Sequence, residues 1–262
     1  VIVGAGFYAG TTKYGLFGMH LVEPFLPASG DEVVVTQAIE SAELAAAADT
    51  YPATRLVLAQ LAAERQDAGL NRSLVARSLL HESYYQIRFG RDAESDSVAD
   101  ELRLHLQRRG DEAPRIHVAL AADALRNADT ATAMAEITLA AQEDPTDTYV
   151  DLVLGEIALR KREGQTAVDA FTRALQKHDS ARAQWGLSRG YRVLGKREPS
   201  VAAAKATLKA SPNHAGARIA VAEQQVLDGE IEEADALLQA PAGLEGKNKE
   251  SEAEDNTSQK QR

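Results

Sequence analysis

From about residue 114 to residue 240, apolar and small residues recur at helical spacing in blocks that repeat, and the repeat length matches the period of about 34 residues shared by helix-pair arrays. Frames opened at Pro114, Thr148, Ala181 and Ala215 bring four segments into register. Their eighth positions are all small: Ala121, Gly155, Ser188 and Ala222. Twelve residues further on the column is small again, with Ala133, Ala167, Ser200 and Ala234. Small residues at these places let the second helix of each pair approach the first. Larger side chains follow at Ile137, Phe171 and Leu238, with Ala204 the exception, and these are expected to fill the space between successive pairs. Pro145 and Pro212 close frames where a helix must stop.

Upstream the pattern is looser but still helical. It predicts helices over about 32–48, 53–67, 71–89 and 95–109. Asp49-Thr50-Tyr51-Pro52 reads as a cap followed by an N-terminal proline, and Ala68-Gly69-Leu70-Asn71 as the next stop and start. Paired in order, these helices add two hairpins ahead of the regular four, for about six helix pairs in one all-α array. The predicted organisation is an apolar segment at 1–30, degenerate hairpins over 31–113, regular repeats over 114–240 and a polar, disordered tail over 241–262.

The small-residue, large-apolar and terminal-proline columns of 114–240 resemble the tetratricopeptide repeat family. Gly195 and Gly229 occupy that family's turn position, while the aromatic expected early in the first helix is replaced by His117, Asp151, Gln184 and Arg218. The resemblance implies a right-handed α-α superhelix whose first helices line a concave groove that binds a protein or peptide. Carried onto this chain, the groove positions are Arg115, Arg126, Tyr149, Leu152, Glu156, Arg160, Arg182, Trp185, Arg189, Arg192, Ile219, Glu223 and Val226. The partner-binding set is Arg115, Arg126, Tyr149, Glu156, Arg160, Arg182, Trp185, Arg189 and Arg192. Arginine beside Trp and Tyr is the combination enriched at interface hot spots, and it suits an acidic partner. The asparagines with which the family clamps chaperone tails are absent from these positions.

Composition supports the helical reading, since aromatics make up only 5% of the chain and Ala, the best helix former, recurs throughout. With no Cys, thiolate metal sites and Cys nucleophiles are excluded. A net charge of −10 argues against a nucleic-acid binder, which needs clustered Lys and Arg. No metal, cofactor or catalytic set is expected. His81-Glu82 starts a zinc-protease pattern, but Tyr85 stands where its second His would be. Gly4, Gly6 and Gly10 miss the dinucleotide-binding spacing.

Residues 1–12 carry no charge, and Gly6 and Gly10 have the G-x-x-x-G spacing of touching membrane helices. The expectation is therefore the end of a transmembrane helix anchoring an adaptor at the inner membrane of a bacterial cell envelope, or otherwise a cytoplasmic protein. The Ala-rich, Cys-free style supports the bacterial assignment. Two further readings are a regulatory region of a larger enzyme whose catalytic domain lies upstream of Val1, and a scaffold that self-associates through its terminal repeats.

Overall fold

The computed structural model describes residues 31–68, 71–108 and 115–239. The apolar segment and possible anchor at 1–30, the frame-opening Pro114 and the polar tail at 241–262 all lie outside the described residues. Among those residues the protein is all-helical. Its helices are α1 (Glu32–Ala46), α2 (Tyr51–Ala68), α3 (Arg72–Phe89), α4 (Ala93–Arg108), α5 (Ile116–Arg126) and α6 (Thr130–Glu143), followed by α7 (Thr148–Arg160), α8 (Gly164–Lys177), α9 (Ala181–Val193), α10 (Arg197–Ala210), α11 (Ala215–Asp228) and α12 (Ile231–Leu238). Consecutive helices pack as hairpins. The first helices of neighbouring pairs also touch, α3 on α5, α5 on α7 and α7 on α9. No described helix is long and apolar enough to cross a membrane.

The repeated columns explain how the hairpins close. Phe171 of α8 is fully buried, and its ring fills the space left by two glycines: a Cβ added at Gly155 would come within 2.5 Å of the ring, and one at Gly186 within 2.3 Å. Where the small column holds serine instead, the two helices exchange hydrogen bonds. Ser188 Oγ donates to the Ser200 carbonyl at 2.8 Å, and Ser200 Oγ donates to the Ser188 carbonyl at 2.9 Å. Ala121, Ala133, Ala167 and Ala234 are all buried. Leu238 departs from its column and is exposed, because no further pair packs over α12 among the described residues.

The turn between the helices of each regular pair needs a left-handed residue. Ala128, Arg162, Gly195 and Gly229 stand at the same place in the four frames, with φ of 62°, 61°, 68° and 85°. Glycine takes this conformation freely, whereas an L side chain is strained there. Two of the four turns therefore hold a strained residue.

Helix α3 is buried differently from the others. Every residue from Leu74 to Gln86 is buried, so the helix has no solvent face along that stretch. Its start is capped by Asn71, whose side chain accepts from the Leu74 N–H at 3.2 Å. The turn between α1 and α2 puts its cap at Thr50 and Pro52 in the first turn of α2. Thr50 accepts the capping hydrogen bond from Ala53 N–H at 3.4 Å, while Asp49 takes a left-handed φ of 51° and turns into the protein.

Candidate functional site

Helix α3 presents Arg77, His81, Tyr84 and Arg88, spaced so that they share one face. That face meets the row of residues expected to line the groove. Arg77 donates to Asp147 at 2.7 Å, and the His81 ring meets Tyr149 edge-on at 5.4 Å between centroids. Tyr84 donates to Glu156 at 3.4 Å. The Arg182 guanidinium lies 4.4 Å above the Tyr84 ring and donates to the Tyr149 hydroxyl at 3.3 Å.

The turn of the first hairpin completes this closure. The Asp49 carboxylate is 1% exposed and accepts from three distant positions: Arg88 at 2.6 Å, Arg182 at 3.2 Å and, with the ring nitrogen Nε2, His214 at 3.1 Å. The Arg182 backbone N–H also donates to the Ala47 carbonyl at 3.2 Å. Burial alone would raise the pKa of Asp49, but Arg88, the His214 hydrogen bond and Arg182 together hold it far below the usual carboxylate range. His81 shows the opposite environment. Burial, followed by the charges of Arg182 and Arg77, pushes its pKa well below that of free histidine, and neither ring nitrogen has a hydrogen-bond partner among the described residues.

The nine expected partner-binding residues therefore divide into three groups. Arg126, Tyr149 and Arg182 are corrected from groove surface to interior. Tyr149 and Arg182 are covered by α3 and the first hairpin. Arg126 has a fully buried side chain held by Asp123, Asp96 and Asp100 at 2.7, 2.8 and 2.9 Å. Arg115 lies apart, at the rim of a cleft of about 400 Å³ between α1 and the starts of α7 and α9. It stands 3.5 Å from Asp144, 3.7 Å from Asp147 and 3.9 Å from Glu43.

The remaining five come together at the C-terminal end of α3. Here α7 and α9 run on past the helix that covers them, leaving two adjoining clefts of about 300 and 570 Å³ on either side of Ile87. Glu156 and Arg160 line the first, Trp185 and Arg192 the second, and Arg189 lines both. Arg189 holds the buried Glu156 carboxylate bidentately at 2.7 and 2.9 Å, which fixes the wall between the clefts. Trp185 is 8% exposed and is part of the C-terminal core with Ala217 and Val221, so only its edge is offered. Arg160 and Arg192 are exposed. Arg160 makes no ion pair among the described residues, and Arg192 has only Glu223 at 3.7 Å.

Sequence reasoning missed Arg162, which lines the first cleft beside Arg160 and is likewise without an ion pair among the described residues. A signal for it existed, since it occupies the turn column that Gly195 and Gly229 occupy elsewhere. Apolar side chains line the clefts too, Ile87 and Leu159 facing both and Val193, 41% exposed, the second. Among the described residues, no three His, Asp or Glu side chains are placed to hold a metal ion. The chain matches no protein-family model and no curated protein.

Proposed function

We propose that this protein is a non-enzymatic interaction module, a tetratricopeptide-like superhelix acting as scaffold or adaptor for a protein partner. One observation carries the reading. Of the groove residues named from the repeat register, Glu156, Arg160, Trp185, Arg189 and Arg192 line two adjoining open clefts that share Ile87 and Leu159. Exposed arginines beside apolar surface, in a chain of net charge −10, suit an acidic protein surface rather than bulk solvent alone. Attachment to a bacterial inner membrane through residues 1–12 belongs to the same proposal and rests on their uncharged character.

The test is a pull-down with the full chain, wild type against Arg160→Glu/Arg192→Glu. Both side chains are exposed, so the variant is expected to fold. Trp185 and Arg189 are poorer targets, because the first is core and the second neutralises a buried carboxylate. A partner retained by wild type and lost by the variant supports the cleft as the binding site. Identical partners on both baits would move the function to another surface.

A further inference from the structure

We infer that the open end of the clefts takes an acidic, amphipathic helix from the partner, laid across the C-terminal ends of α7 and α9 where α3 leaves off; this rests on the interaction-module reading above. The groove row already shows what it accepts. Over its first half it holds a helix, α3, through one stripe of side chains with the spacing i, i+4 and i+7, from Arg77 through His81 to Tyr84. Helix α3 ends at Phe89, and the supporting helices continue to Arg160 and Val193. Beyond that end the row keeps the same periodic character and has no cover among the described residues. Ile87, Leu159 and Val193, which line the clefts there, offer an apolar strip for the buried face of such a helix.

The charges define the rest of the partner. Arg160 and Arg162 are exposed and unpaired among the described residues, and Arg192 is held only at 3.7 Å by Glu223. Three cations beside an apolar strip favour carboxylates flanking the partner's apolar face, which arginine can grip bidentately. Arg162 adds an independent observation. It holds φ 61° at a turn position that two sister repeats fill with glycine, so a charged side chain is kept there at a conformational cost.

That strain supplies the test. Glycine at position 162 relieves the turn while removing the cation, so Arg162→Gly is expected to be at least as stable as wild type and to bind more weakly. Three labelled synthetic peptides of 18 residues, the length of α3, serve as probes in fluorescence anisotropy with the full chain. One is an amphipathic helix with Glu flanking a Leu/Ile stripe, the second carries Lys in place of Glu, and the third is the acidic peptide broken by two prolines. The acidic helix should bind, and Arg162→Gly and Arg192→Glu should each weaken it by about tenfold, the value of one well-placed contact.

Equal binding of the proline-broken peptide would overturn the helical occupant while leaving the cleft as the interaction site. Equal binding of the Lys peptide, or no effect of the two variants, would overturn the acidic one. If no peptide binds, or a single-stranded oligonucleotide binds more tightly, the inference fails. The pull-down then judges the broader reading separately.

Discussion

At the scale of single residues, the tightest glycine contacts among the described residues are those of Gly155 and Gly186 with the Phe171 ring. Gly155→Ala would place a methyl group inside the ring's contact distance, where a Cβ would lie 2.5 Å from the ring. Gly186 lies against the same ring, where an added Cβ would come within 2.3 Å, so the ring has little room to retreat. The expected cost is about 1–3 kcal/mol, the range for overpacking a close-packed core. Thermal denaturation should show the loss, and in the Phe171→Leu background the same substitution should cost much less. Equal costs in both backgrounds would mean that the ring is not what fixes glycine there. The turn column gives a prediction of opposite sign. Ala128 holds φ 62° with no functional contact, so Ala128→Gly is expected to stabilise by about 1 kcal/mol. A rise in Tm of about 2–4 °C would agree with that value.

At the scale of elements, the helices were readable because each announces itself locally. The expected spans 71–89 and 95–109 fall within two residues of α3 and α4, and the frames at Thr148, Ala181 and Ala215 open on the first residues of α7, α9 and α11. The columns identified which residues would be small and buried, since the closeness of two helices within one hairpin depends on residues near each other in sequence. The destination of α3 was not readable. Its contacts join Arg77 to Asp147 and Tyr84 to Glu156, about 70 positions apart, and nothing in its own periodicity tells which helices will cover it. For the same reason nothing beyond a cap could be read from the Asp49-Thr50-Tyr51-Pro52 segment. Its partners Arg182 and His214 lie 133 and 165 positions away. Asp49→Asn removes the carboxylate that Arg88, Arg182 and His214 share, and breaking a buried pair in this way costs about 3–5 kcal/mol. Hydrogen exchange should localise the loss. Protection is expected to fall first in α1, α2 and the start of α9, where the Ala47 carbonyl receives the Arg182 N–H. A uniform loss along the whole array would show that the clasp does not hold the hairpin as a unit.

At the scale of the whole molecule, the fit of α3 against α7 and α9 makes stability depend on pH. His81 is enclosed by Arg77 on its own helix, Arg182 from α9 and Tyr149 from α7, and its pKa lies well below 6.5 in the folded state. The unfolded chain therefore binds a proton below about pH 6.5 that the folded chain refuses, and stability falls as the pH drops. The slope is at most about 1.4 kcal/mol per pH unit for one such group. Asp49 works in the same direction at lower pH, since its depressed pKa contributes stability that is lost as the pH falls below about 4. Glu43, Glu82 and Asp123 oppose both. Burial raises their pKa values, so the folded state takes up protons more readily than the unfolded chain and gains from acid. A single denaturation curve would mix these contributions, but the difference between wild type and His81→Leu cancels the carboxylates. Urea denaturation of the two proteins should give a constant stability difference above about pH 7 and a growing loss for wild type alone from about pH 6.5 to 5. Parallel curves through that range would mean that His81 takes up its proton in the folded state. The divergent outcome would make mild acid a means of loosening α3 from Tyr149, Glu156 and Arg182. That loosening would reach α7 as well, because Tyr149, which the His81 ring meets edge-on, belongs to the same core as Phe171.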